Sequence, residues 1–243
     1  MAYMDKLGIQ SFCFRNFLPI DELIGAMQKA GLSNVEIWPK HIAFDHDPAE
    51  VNAKVNALKG AGISISSYGA LQIKKGDESV RKHLEYCKKL GISAVTTMIA
   101  QDAIEFADEM AQETGVNLAL HNHGRKDPHG PADVIKDIFS RTSERIGLCL
   151  DAAWALDSGD DPHEMVTVFA DRLMGVHLKD FVFDDEGNHK DVIIGTGGLD
   201  LPRFIKLLQT HNFDGYISIE YEGNPEDPFD EIIACIDQMK AID

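Results

Sequence analysis

Eight short apolar runs alternate with helical stretches that share the same start and stop signals. This pattern predicts a single-domain (β/α)8 barrel of the TIM type over residues 1–243. Two further observations support it. Four of the helical stretches run into glycine just before the next apolar run, at Ala30-Gly31, Ala61-Gly62, Leu90-Gly91 and Thr114-Gly115. Glycine there reads as a left-handed helix end, so the chain repeats one supersecondary unit. The first run is followed by Phe12-Cys13-Phe14-Arg15-Asn16, without the glycine-rich phosphate turn that opens many doubly wound sheets.

The predicted strands are Leu7–Ser11, Asn34–Trp38, Ser64–Ser67, Ala94–Met98, Val116–His121, Ile146–Leu150, Met174–Leu178 and Tyr216–Glu220. They are short and nearly continuous in apolar residues, as strands covered on both faces must be. Helices begin where proline and acids crowd the first turn, at Pro19-Ile20-Asp21-Glu22, Asp47-Pro48-Ala49-Glu50, Pro131-Ala132-Asp133, Asp161-Pro162-His163-Glu164 and Asp200-Leu201-Pro202. Phe181–Leu199 is polar and rich in glycine, and reads as a long loop beside the seventh strand.

Lysine and arginine number 23 against 40 aspartates and glutamates, a formal charge of −17. Such a surface repels nucleic-acid backbones and anionic membranes, so neither partner is expected. No apolar stretch reaches membrane-spanning length, and Met1–Ile9 lacks the apolar region of a signal peptide. Cys13, Cys87, Cys149 and Cys235 form no CxxC pair, which argues against a disulfide framework or a zinc knuckle. The expected setting is soluble, reducing and cytoplasmic. A homo-oligomer is left open.

Chemistry-bearing side chains gather at four predicted strand ends, in Leu120-His121-Asn122-His123, Leu150-Asp151, Val176-His177-Leu178-Lys179 and Ile219-Glu220. Parallel barrel strands all end on one face, where barrel enzymes carry their active sites. His121, Asp151, His177 and Glu220 arriving together fit an N/O site for one divalent ion. Each also has a plainer role: Asp151 as a helix or turn cap, His177 as a core histidine, Lys179 as the ion-pair partner of Asp180. His121 and His123 point to the same side, so either can be the fifth-strand ligand. Glu36 stands between apolar Val35 and Ile37, pointing inward to contact substrate or to hydrogen-bond within the core. Trp38 and Trp154 lie near strand ends, as sugar platforms or as packing.

The segments Cys149-Leu150-Asp151, Val176-His177-Leu178-Lys179-Asp180, Gly195-Thr196-Gly197-Gly198-Leu199-Asp200 and Asp214-Gly215-Tyr216-Ile217-Ser218-Ile219-Glu220 resemble, in order and spacing, the xylose isomerase-like barrel superfamily. The likeness is to its sugar phosphate isomerase/epimerase group, which includes D-tagatose 3-epimerase and inosose dehydratase relatives. The resemblance implies a Glu-Asp-His-Glu site for one manganese, cobalt, magnesium or zinc ion, with the glutamates moving protons. Asp151, His177 and Glu220 match three of those positions. His121 replaces the fifth-strand glutamate, and Trp154 stands where many members have histidine.

The expected function is therefore a metal-dependent isomerase or epimerase of carbohydrate metabolism. It would abstract the proton α to the carbonyl of a small sugar or sugar derivative through a metal-bound enediolate. Glu220, His123 and Lys179 are the expected catalytic residues; Glu36, Trp38 and Trp154 are expected to bind substrate. A dehydratase or lyase acting on a keto-sugar or keto-inositol is the alternative, followed by a non-catalytic sugar-binding barrel. A repair nuclease resembling endonuclease IV shares the barrel, but the acidic surface weighs against it.

Overall fold

The computed structural model describes residues 3–242. The chain runs β1 (Leu7–Gln10), α1 (Ile20–Ala30), β2 (Asn34–Ile37), α2 (Pro48–Gly60), β3 (Ser64–Tyr68), β4 (Leu71–Ile73), α3 (Ser79–Leu90) and β5 (Ala94–Ile99). It continues through α4 (Ile104–Thr114), β6 (Asn117–His121), α5 (Ala132–Ser140), β7 (Ile146–Asp151), α6 (Ala152–Ser158), α7 (Pro162–Val168) and β8 (Leu173–Leu178). The last elements are β9 (Asp180–Phe183), β10 (His189–Val192), α8 (Leu201–Thr210), β11 (Tyr216–Ile219) and α9 (Phe229–Lys240).

The main sheet has the order β3-β2-β1-β11-β8-β7-β6-β5-β4, with every pairing parallel. β3 pairs with β2 and β4 pairs with β5. The two segments are therefore halves of one barrel strand, and together they bring the ring round to β5. The strand breaks at Gly69, where a Cβ would overlap the carbonyl of Thr96. The fold is the TIM barrel that the eight apolar runs predict. Strand ends move by a residue or two: β1 stops before Ser11, β7 extends to Asp151, and Glu220 is the first residue past β11.

The helices form by the expected signals. Asp47, Asp161 and Asp200 each accept backbone N–H groups at the start of α2, α7 and α8. Gly31, Gly62, Gly91 and Gly115 all take positive φ, between 73° and 77°. Each helix lays an apolar stripe on the barrel; α8 buries Leu201, Phe204, Ile205 and Leu208 at helical spacing. Outward strand residues such as Ile9, Val35, Leu118, Leu150, Val176 and Ile217 complete this outer core. A smaller apolar cluster of Ala94, Ala119, Cys149 and Tyr216 forms apart from it. Tyr216 opens β11, and the small side chains around it make room for its ring; a Cβ on Gly175 would overlap it. This floor plugs the N-terminal end of the barrel, so a site inside opens only at the strand C-termini.

The polar stretch Phe181–Leu199 is more ordered than a loop reading allows. β9 and β10 pair antiparallel within it, Phe183 against His189 and Asp180 against Val192. All four cysteines are free and buried. No helix among the described residues is long and apolar enough to cross a membrane.

Candidate metal centre and substrate cavity

Four side chains converge above the floor: His121 at the end of β6, Asp151 at the end of β7, His177 on β8 and Glu220 just after β11. One ligand atom from each lies within 4.8 Å of all the others. His121 Nε2 stands 3.6 Å from Asp151 Oδ2 and 3.9 Å from Glu220 Oε2, and His177 Nδ1 stands 3.2 Å from Glu220 Oε2. Such separations suit neighbouring ligands around one ion with bonds of about 2.0–2.2 Å.

The polar atoms inside the cluster pass a stricter test. Asp151 Oδ2 and both ring nitrogens of His121 are buried without a hydrogen-bond partner among the described residues. A buried polar group left unpaired costs about 1–3 kcal/mol. Of these, Asp151 Oδ2 and His121 Nε2 face one space beside Glu220 and His177. A divalent ion would satisfy them, and the donor set of two imidazoles and two carboxylates is one that zinc, manganese and cobalt accept.

Local structure holds these groups in place. Asp151 is also the N-cap of α6: its Oδ1 accepts from Trp154 N at 2.9 Å, leaving Oδ2 to the cluster. The capping and ligand readings of Asp151 are therefore compatible, one per oxygen. Asn122, the first residue past β6, clamps the same residue. Its Nδ2 donates to Asp151 O at 2.9 Å and its Oδ1 accepts from Asp151 N at 2.8 Å. Asn122 is fully buried, and nothing in the sequence singled it out.

Burial favours the neutral form of Glu220, but His177, Lys179 and His121 outweigh it and hold the carboxyl well below the usual range. It is ionised at neutral pH. Burial also lowers the pKa of His123, and His121 adds to the shift, so His123 is a neutral imidazole that can accept a proton. Lys179 is buried, yet Glu220, Glu222, Asp151 and Asp191 overcome that penalty and raise its pKa. Its ammonium lies 3.7 Å from Glu220 Oε2 and 3.9 Å from Asp191 Oδ2, and it bonds Glu222 directly. Lys179 is thus a permanent cation at the edge of the cluster rather than a ready proton donor. Glu222, two residues past Glu220, is one of its partners. Asp191, on β10, also accepts from Glu222 N at 2.8 Å.

A cavity of about 180 Å³ opens over the cluster, lined in part by His121, His123, Glu220, Glu222, Trp38 and Phe12. Trp38 meets Phe12 edge-on at 4.8 Å, giving one apolar wall. Trp154 lies elsewhere. Its ring lies tilted against that of His123 at 4.2 Å, under the Lys179 ammonium, and lines a neighbouring hollow of about 360 Å³ with Arg125, Lys126 and His189. Of the residues expected at a substrate, Trp38 and His123 border the cluster cavity and Trp154 borders the hollow beside it. Glu36 borders neither. It is completely buried one layer below, with both carboxylate oxygens bonded to protein side chains. The period-two pattern of β2 predicts its inward direction but not its depth.

Comparison with known proteins agrees with this architecture. The family model described as xylose isomerase-like TIM barrel matches residues 24–239. The rhizopine catabolism protein MocC of Rhizobium meliloti is 26% identical, the match covering 85% of this chain and 76% of that protein. Inosose dehydratase of Clostridium beijerinckii is 22% identical over 84% of this chain and 83% of its own. Among solved structures, the IolI protein, which has a bound zinc atom, superposes with a TM-score of 0.73 at 16% identity, covering 97% of this chain and 96% of that one.

Proposed function

Because the chain belongs to the xylose isomerase-like TIM barrel family, we propose that it is a divalent-metal-dependent isomerase or epimerase. Its substrate is a small sugar or sugar derivative. The observation that carries this reading is the pair of unpartnered ligand atoms, Asp151 Oδ2 and His121 Nε2, facing Glu220 and His177 Nδ1. His121, Asp151, His177 and Glu220 hold the ion, and the zinc in the IolI structure makes zinc the first candidate ahead of manganese, cobalt and magnesium. When bound, such an ion polarises a carbonyl and favours loss of the neighbouring proton.

The remaining steps belong to side chains. Glu220, ionised and at the cavity wall, takes the proton α to the carbonyl. His123, neutral and on the same rim, serves as the second proton carrier; returning the proton to a new carbon or a new face completes isomerisation or epimerisation. Lys179 places a fixed positive charge beside the developing enediolate. Trp38, backed by Phe12, offers a flat apolar surface to one face of the sugar.

A second reading is dehydration of a keto-inositol or keto-sugar, favoured by the inosose dehydratase relative. It shares the first step, and then a β-oxygen leaves instead of the proton returning. Incubation with zinc in deuterated water, over a panel of ketoses and inososes, separates the two. Deuterium uptake at the α-carbon without loss of water supports isomerase or epimerase chemistry. Loss of water supports the dehydratase. Binding of a sugar with neither reaction leaves a non-catalytic sugar-binding barrel.

A further inference from the structure

Below the cluster, hydrogen bonds converge on Glu36. His177 Nε2 lies 2.9 Å from Glu36 Oε2, and Ser218 Oγ donates to the same oxygen at 2.9 Å. Thr96 Oγ1 donates to Glu36 Oε1 and stands 2.6 Å from the Tyr216 hydroxyl. A threonine hydroxyl has one proton. Thr96 gives its proton to Glu36, so Tyr216 must donate to Thr96. The hydroxyl protons then run from Tyr216 to Thr96, from Thr96 to Glu36 and from Ser218 to Glu36, and the Cys149 thiol lies within hydrogen-bonding reach of His177 and Tyr216. With these donors converging on it Glu36 serves as the acceptor, and Nε2 of His177, 2.9 Å from Oε2, is placed to donate its N–H. Nδ1, 3.2 Å from Glu220 Oε2, is then the ring nitrogen that faces Glu220, His121 and Asp151.

We infer that Glu36 is the positioning residue of the centre. Through Nε2 of His177 it sets which ring nitrogen faces the ligand cluster and fixes the plane of the ring. This rests on reading His177 as a metal ligand. General barrel packing does not require a carboxylate here. A buried charge with this many partners adds little stability over a well-packed apolar side chain of the same size. Metal-bound histidines, by contrast, gain from a carboxylate on the opposite nitrogen, which orients the ring and raises its basicity; loss of such a partner typically weakens metal binding 10–100-fold.

The test compares zinc binding by wild-type protein, Glu36→Gln and Ser218→Ala, with nitrogen-15 NMR of labelled histidine in the zinc-loaded forms. Glu36→Gln should weaken zinc binding about 10–100-fold. Its amide cannot accept from Thr96, Ser218 and His177 together, and the His177 ring signals should move. Ser218→Ala keeps the Glu36–His177 bond, and its zinc affinity should stay within a few-fold of wild type. In wild-type protein the His177 signals should show a protonated Nε2 and a zinc-bound Nδ1. Should Glu36→Gln not fold, the wild-type spectrum still decides the question. Zinc bound through Nε2, or a folded Glu36→Gln with wild-type affinity and unchanged His177 signals, overturns the assignment of Glu36 alone. Wild-type protein that binds no zinc overturns the metal reading and this one together.

Discussion

Asp151 and Asp180 are both fully buried aspartates at the C-terminal rim of the barrel, yet their oxygens are treated differently. Asp180 Oδ1 accepts from the backbone N–H groups of Phe181 and Leu199, and its Oδ2 from those of Gly195 and Gly197, at 2.7–3.0 Å. Every donor comes from the segment after β8, so Asp180 is the knot that ties this loop to β9. Asp151 uses one oxygen to cap α6 and leaves the other, Oδ2, without a protein partner. The difference lies in saturation rather than burial. A buried acid with both oxygens satisfied by backbone is structural; one with an oxygen left open beside imidazoles is placed to take a ligand.

Asp180→Ala should have the largest effect on stability. It leaves four backbone donors without their acceptor, and urea unfolding should show a loss of about 3–5 kcal/mol. Zinc content of the folded fraction should be unchanged. A loss below about 1 kcal/mol would mean water replaces the carboxylate, and the contrast with Asp151 would weaken.

Glu220→Gln comes next. The amide is isosteric but hardly basic, and turnover should fall about 10²-fold or more, near 2.7 kcal/mol on the barrier, with the circular dichroism spectrum unchanged. Full turnover with metal retained would move the base to His121 or His123.

A buried histidine extends the comparison to pH. Burial holds His41 at a pKa of about 4, below the ordinary 6.5. Its contribution to stability is complete above pH 6.5 and is lost as pH falls toward 4, because only the unfolded chain takes up the proton. At pH 5 this group alone should cost about 2 kcal/mol relative to pH 7. His41→Leu should flatten that part of the profile when unfolding free energy is measured across the range; an unchanged slope would assign the loss to other groups.

Asp151→Asn should change stability least and metal content most. The amide oxygen still caps α6, so the unfolding free energy should stay within about 1 kcal/mol of wild type. Elemental analysis should find the bound zinc gone. An Asp151→Asn protein that keeps its zinc would make Asp151 as structural as Asp180.

The barrel was legible because buried parallel strands announce themselves as apolar runs and because glycine marks the helix ends at a regular interval. β4 was hidden, since Leu71–Ile73 is short and continues a strand already counted as Ser64–Ser67. The β9–β10 hairpin was hidden by the polar, largely exposed residues of β10, where pairing comes from backbone rather than from apolar alternation. The four candidate ligands were readable as polar residues ending apolar runs. Asn122, Glu222 and Asp191 were not, because their partners lie 29, 43 and 12 residues away in sequence and meet them only once the chain has folded. Glu36 shows the limit well: alternation predicts direction, whereas depth depends on the tilt of neighbouring strands.

The ring closes where β1 pairs with β11, Leu7 opposite Ile217 and Ile9 opposite Ile219. During synthesis on a ribosome, one edge of β1 therefore has no neighbour until some two hundred further residues have been made. Closing so long a loop is entropically costly and slow relative to local helix formation. The nascent chain passes through a stage with an open sheet, an uncovered edge and an unassembled ligand cluster, since Glu220 follows immediately on β11. The candidate ligand cluster and the closed barrel thus assemble together, once β11 has been made, and chaperones that shield sheet edges have their longest opportunity on this protein before that moment.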